Sequence, residues 1–237
     1  MYTVHQKGFD AFYTSAYEEG ADVFLAALRD RHHDVTYVPS HQIHTRVPST
    51  AEGLKAFDVV VISDAGANSF QLAPATFDRS EPTPDKTAVL RDFVARGGGL
   101  LMVGGYLTFS GIDAKARWGR TPLADALPVQ VLDRDDRVEL PAGEQPSVVA
   151  EHEVVHNLPP VWPLLLGLNE VVPKPAAATL VHCGGYPLLV VGEYGHGRTA
   201  AFTSDMAPHW APPTFLQWDG YPILWDQLVR WLARETS

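Results

Sequence analysis

Residues 97–106 read Gly97-Gly98-Gly99-Leu100-Leu101-Met102-Val103-Gly104-Gly105-Tyr106, an unbroken apolar run set between two glycine clusters. A run of this kind is how a strand covered on both faces of a parallel sheet looks. The glycines after it allow a sharp turn of the strand–turn–helix kind, which presents one side chain at the top of the sheet. Just upstream, Thr83, Pro84 and Asp85 supply a cap, a first-turn proline and an N-terminal acid. Val89, Leu90, Phe93 and Val94 then form an apolar stripe that stops at Gly97, so a helix is predicted to lead into the strand. Residues 57–63 (FDVVVIS) make a second β-branched run and are expected to be a central strand. Residues 35–38 read as a short strand, and residues 17–31 as an amphipathic helix with Ala21, Phe24, Leu25 and Leu28 on its inner face. Downstream the pattern weakens over residues 123–173, where short strands are predicted at 129–132 and 137–140 and residues 151–168 are proline-rich and irregular. Strands at 178–182 and 187–194 flank the turn Cys183-Gly184-Gly185-Tyr186, a third follows at 198–203, and a helix over 221–234 turns Leu224, Leu228, Trp231 and Leu232 inward. Strand–helix alternation with a late antiparallel portion predicts one α/β domain over residues 1–237: a doubly wound, mostly parallel sheet with an antiparallel edge extension.

Composition limits the partners. The chain has 237 residues, enough for one sizeable core, and 18 Lys plus Arg against 28 Asp plus Glu give a net charge of −10. An acidic surface repels phosphate backbones and anionic lipid heads, so neither nucleic acid nor a membrane is an expected partner. No apolar run approaches the roughly 20 residues a membrane helix needs. The best, at 161–168, is broken by Pro163. The N-terminal residues lack the apolar core of a secretory signal, and the single cysteine, Cys183, excludes an intramolecular disulfide framework, so a cytoplasmic location is expected. A small polar metabolite is the expected partner, a homo-oligomer is left open, and no cofactor is implied.

Ligands in such sheets bind beyond the carboxyl ends of the strands. Asp64 and Asn68, in the segment SDAGANSF after one strand, either line a pocket or hydrogen-bond the loop backbone. Gly105 and Tyr106 follow the next strand. Beyond them lie Ser110 and Asp113, then Lys115, Arg117 and Arg120, a local basic cluster that either takes a carboxylate or phosphate or pairs with neighbouring acids. In residues 203–210, His209 is a candidate acid/base oriented by Asp205, with Trp210 beside it; the plainer reading packs the histidine under Trp210. The pairs His41/His44 and His152/His156 lack a third metal ligand of clear spacing, and Asp133, Asp135 and Asp136 read as a solvated turn.

The segments SDAGANSF, GGGLLMVGGYLTFSGIDAKARWG, TPLADALPV, GEYGHGRTAAFTSDMAPHWAPP and WDGYPILWDQLVRWL together resemble the glutamine amidotransferase-like family, a branch of the class I amidotransferase superfamily akin to ThuA-like proteins. The resemblance implies a flavodoxin-like fold. It also implies an elbow cysteine activated by a histidine with an acidic partner, yet here the elbow offers only Gly105 or Tyr106. ThuA-like relatives place a histidine where His209 falls, which implies that His209 approaches the elbow. Relatives also open with a core strand ahead of a segment resembling residues 5–10, where this chain has only residues 1–4; the expectation is a sheet one strand short or a start downstream of the natural one. The function so implied is a catalytically divergent amidotransferase-like protein binding a small polar, carbohydrate-like metabolite through Asp64, Asn68, Gly105, Ser110, Asp113, Lys115, Arg117 and Trp210, with acid/base chemistry at His209 and with Asp205 and Tyr106 as its catalytic partners. Two alternatives stand beside it. One is a non-enzymatic binding or assembly module using Trp210, Phe215 and Trp218 as exposed aromatics. The other is a glutaminase that uses Cys183.

Overall fold

The apolar runs assemble into a six-stranded sheet with helices on both faces in the computed structural model, which describes residues 2–15 and 19–235. Tyr2–Lys7 (β1) and Asp10–Ser15 (β2) form an antiparallel hairpin that is not hydrogen-bonded into the main sheet. There follow Asp22–Arg29 (α1), Ile43–Arg46 (α2), Val59–Ser63 (β3), Asn68–Gln71 (α3), Pro74–Arg79 (α4), Lys86–Ala95 (α5) and Gly99–Val103 (β4). The middle of the chain contributes Val129–Val131 (β5), Arg137–Glu144 (β6), Ser147–Val148 (β7), Leu165–Asn169 (β8) and Val171–Pro173 (β9). Ala178–Cys183 (β10), Tyr186–Tyr194 (β11), Gly197–Phe202 (β12), Pro213–Leu216 (α6) and Gly220–Leu232 (α7) complete it.

The sheet runs β3-β4-β12-β11-β10-β7. β3, β4 and β12 are parallel, with Val59, Gly99 and Arg198 in register, and the remaining pairs are antiparallel. The two-residue loop between β10 and β11 puts Gly184 at φ 56° and Gly185 at φ 82°. Two successive positive φ angles are what a type I′ hairpin turn requires, and glycine adopts them without steric cost.

Side-chain alternation on the central strands builds two cores. Leu101 and Val103 of β4 join Ala200 and Phe202 of β12 beneath α1 and α7, whereas Leu100, Met102 and Ala201 face α5 and Trp118. Leu224, Trp225 and Leu228 of α7 are fully buried, and each such side chain contributes on the order of 2 kcal/mol of transfer free energy. Trp210, Phe215 and Trp218 are not an exposed patch. Trp210 is 1% and Phe215 0% exposed, and the half-buried Trp218 packs on Trp162 at 4.8 Å. Phe215 packs between Phe202 of β12 and Tyr221 of α7, whereas Trp210 packs against Tyr106 and His209.

Other expectations shift for local reasons. The first helix begins at Asp22, with residues 17 and 18 outside the described residues, although Ala21, Phe24, Leu25 and Leu28 are buried as the periodicity requires. The cap of α5 is Asp85, whose carboxylate accepts the Thr87 N–H at 2.9 Å, and not Thr83. Strand β3 ends the sheet instead of lying inside it. Its valines read as central because Val59 and Val61 touch one core and Val60 and Ile62 the other. Residues 35–38 join no ladder, yet Val35 and Tyr37 pack on the first core and Val38 on the second. Alternation there records packing without pairing.

Lys86 is an unusual buried cation, 4% exposed, whose ammonium donates to the carbonyls of Ile43 at 3.3 Å, His44 at 3.1 Å and Val47. Burial lowers its pKa, and the three acceptors at the end of α2 offset that desolvation. No helix among the described residues is long and apolar enough to cross a membrane.

Candidate functional site

Because β4 and β12 are adjacent and parallel, the loops that follow them leave the sheet side by side, and the Gly104 N–H donates to the Phe202 carbonyl at 2.7 Å. The first loop is held from beneath by two buried polar side chains. Asn169, at the end of β8, accepts the Gly105 N–H at 3.0 Å and donates to the Gly105 carbonyl at 3.2 Å and to Asp136 at 2.8 Å. Asp136, 1% exposed, also accepts the N–H groups of Ser110 and Gly111, both at 2.8 Å. Asp136 is therefore no solvated turn residue. Burial pushes its pKa up, and the hydrogen bonds from Asn169, Ser110 and Gly111 pull the other way.

The elbow has no room for a side chain at Gly105, and two of its backbone N–H groups are already engaged. Gly105 has φ 144°, and a Cβ there would lie 2.8 Å from Oδ1 of Asp64. That same Asp64 oxygen accepts the Leu107 N–H at 2.7 Å, and the Asp64 N–H donates to Thr108 Oγ1 at 2.9 Å. Acyl-transfer sites leave backbone N–H groups at the elbow free for developing negative charge. Here Asn169 and Asp64 already occupy those of Gly105 and Leu107.

The second loop delivers the histidine. Asp205 is 5% exposed, and its Oδ2 accepts from His209 Nδ1 at 2.9 Å. His209 keeps 35% of its side chain exposed, and Nε2 has no hydrogen bond among the described residues. The ring meets Tyr106 edge-on at 4.2 Å and lies 4.9 Å from Trp210. Glu139 of β6 ties the group together, accepting the Tyr106 hydroxyl at 3.1 Å and the Trp210 indole N–H at 3.0 Å. The Arg137 guanidinium stands 4.9 Å over the Tyr106 ring. The Asp205 hydrogen bond raises the His209 pKa above 6.5, with burial opposing and Asp205, Glu139 and Asp64 adding attraction. Burial raises that of Asp205. The product is a partly exposed imidazole, biased toward its protonated form, with Asp64 and Glu139 beside it.

Of the residues expected from sequence, Asp64, Gly105, Tyr106, Asp205, His209 and Trp210 come together. Asn68 is exposed at the start of α3, and its side chain makes no hydrogen bond to this group among the described residues. Asp113 and Lys115 pair with each other at 2.8 Å on the surface, which is the plainer of the two readings for Lys115. Ser110 and Arg117 turn away and line a separate cavity. Glu139, Asn169 and Asp136 were not legible as site residues, because their partners lie 25 to 71 residues away in the chain. Among the described residues no three metal-ligating side chains converge; His152 accepts the Val154 N–H instead.

Residues 1–234 match the family described as "Putative glutamine amidotransferase". The chain belongs to the glutamine amidotransferase-like family. A cytoplasmic protein from Salmonella typhimurium LT2 is 46% identical, with 98% of this chain and 95% of that one covered and a TM-score of 0.95. A second cytoplasmic protein from Salmonella typhimurium is 42% identical over 98% and 94% of the two chains, again with a TM-score of 0.95. A ThuA-like protein from Parabacteroides merdae shares the fold at 14% identity, 89% and 83% coverage and a TM-score of 0.55. No curated protein matches the chain. In this amidotransferase-like protein burial holds the Cys183 thiol toward its neutral form. The residue is 1% exposed, its thiol lies 3.6 Å from the Glu144 carbonyl, and burial pushes its pKa up to about 12.

Proposed function

We propose that this amidotransferase-like protein is catalytically divergent and binds a small polar, carbohydrate-like metabolite at the surface that Tyr106 and His209 form together. The observation that carries the reading is the half-exposed imidazole of His209, anchored through Nδ1 to buried Asp205 and edge-on to Tyr106. A ring held this way keeps Nε2 for a ligand. Its raised pKa suits it to donate a proton to a hydroxyl or carbonyl oxygen near neutral pH. The carboxylates of Asp64 and Glu139 accept hydroxyl hydrogens, and the Tyr106 ring gives an apolar face to a sugar-like skeleton. Glutamine hydrolysis is disfavoured by Gly105 at the elbow, by the occupied backbone donors and by the buried thiol of Cys183. We assign the protein to the cytoplasm on the strength of its two Salmonella relatives.

The test is a thermal-shift screen of sugars, polyols, sugar acids and amino acids including glutamine, repeated on His209→Ala and Tyr106→Ala. A ligand that binds only the folded state raises the melting temperature. A stabilising compound whose effect disappears in both variants is the expected result, and turnover of that compound lost in His209→Ala would add chemistry to binding. Hits indifferent to both substitutions would overturn the assignment. Ammonia release from glutamine that vanishes in Cys183→Ser would replace it with a glutaminase.

A further inference from the structure

The loop after β4 has a second, separate face. Beyond the pair made by Asp113 and Lys115, residues 117–120 form a tight turn in which the Arg120 N–H donates to the Arg117 carbonyl at 3.1 Å. Arg117 and Arg120 both line one cavity. Between them Trp118 is fully buried, and its indole N–H donates to the Ala65 carbonyl at 2.9 Å. This anchor fixes the turn and leaves its two arginines facing outward over a cavity of about 170 Å³, lined also by Ser110, Val131 and Asp133.

Three features set this cavity apart from an ordinary charged surface. Lys115, Arg134 and Arg137 are each paired with an acid, whereas Arg117 and Arg120 form no ion pair among the described residues, in a chain whose net charge is −10. Arg117 holds φ 64° and ψ 17°, a left-handed conformation that L-residues with a Cβ avoid, and strain of that kind concentrates where a side chain must be aimed. Ser110 is 3% exposed yet lines the cavity; Asp136 takes its backbone N–H and Ala116 donates to its carbonyl, while its hydroxyl has no hydrogen bond among the described residues.

We propose that this cavity binds a small hydroxylated oxyanion, independently of the His209 site. Its acidic oxygens sit on the two guanidinium forks, the geometry for which arginine is suited. Ser110 donates to the same head group, and Asp133 accepts a hydroxyl of the ligand. That carboxylate repels charged oxygens and takes a hydroxyl held away from them on a carbon arm, which inorganic phosphate does not have. The volume is close to that which takes a benzene ring, roughly 150 Å³, and suits a head group with two or three carbons. A phosphoryl and a carboxylate head share this chemistry, so both are probed.

The test is calorimetric titration of the intact protein at low ionic strength with glycerol 3-phosphate, glycerate, inorganic phosphate and glycerol. At least one hydroxylated anion should bind, tighter than inorganic phosphate, while neutral glycerol gives no heat. The stronger of the two anions names the head group. Arg120→Gln should weaken binding about tenfold or more, the weight of one charge-assisted hydrogen-bonding group. Arg117→Gly should weaken it similarly while raising the melting temperature, because glycine adopts the left-handed backbone freely; this variant separates lost binding from lost folding. Asp133→Asn should narrow the gap between glycerol 3-phosphate or glycerate and inorganic phosphate. No heat with either hydroxylated anion, or affinity unchanged in the Arg117→Gly/Arg120→Gln double variant, would overturn the proposal. Binding lost in His209→Ala but kept in the arginine variants would do the same by moving the anion to the His209 site.

Discussion

Two buried aspartates lie under the same pair of loops, and they do opposite things. Asp136 spends its carboxylate on two backbone N–H groups and the Asn169 amide, all internal. Asp205 spends one oxygen on a histidine that still presents an unbonded ring nitrogen and a third of its surface. Burial raises the pKa of both carboxylates. Burial and a perturbed pKa therefore do not separate scaffold from site. What separates them is whether the partner has capacity left over: Asp136 closes a circuit, and Asp205 orients a group toward the outside.

The contrast breaks most visibly at Asp136. Asp136→Ala strands three donors in the interior, each costing about 1–3 kcal/mol, so chemical denaturation should show a loss of at least about 3 kcal/mol. A loss below about 1 kcal/mol would mean that the circuit is not a scaffold. Gly105→Ala comes next, since its backbone angle and the approach of Asp64 together oppose a Cβ. A destabilisation of about 2 kcal/mol is expected by the same measurement, and a neutral variant would show that the elbow can reopen. Asp205→Asn should cost less stability but change the ionisation of His209. In the native protein the His209 ring, followed by NMR, should titrate above its ordinary 6.5, and in the variant its midpoint should fall. The sign for stability follows from linkage. A histidine whose folded pKa is raised contributes stability fully present below about pH 6.5 and lost as pH rises through the folded value, and that part of the pH profile should flatten in Asp205→Asn. Tyr106→Phe is the mildest, about 1 kcal/mol or less for one half-exposed hydrogen bond to Glu139.

Much of the fold was legible because its signals are local. The run at 99–103, the stripe of α5 and the glycine pair between β10 and β11 each carry their structural reason within a few residues. The position of β3 was not, since apolar side chains on both faces report coverage above and below a strand and say nothing of its neighbours in the sheet. The candidate site was half legible for the same reason. Strand ends pointed to Asp64, Tyr106 and His209, while Glu139 and Asn169 arrive from the irregular middle of the chain, where no periodicity marks them. Residues 133–136 looked like a polar turn because sequence registers charge and not enclosure.

Lys86 adds a use of a different kind. An amine locked against three carbonyls is hidden from acylating reagents that modify surface lysines, so its labelling requires the packing of α2 against α5 to part first. Mass-spectrometric labelling at this one position would thus time the opening of residues 43–47 separately from global unfolding, a reporter of local breathing that the protein carries without any added probe.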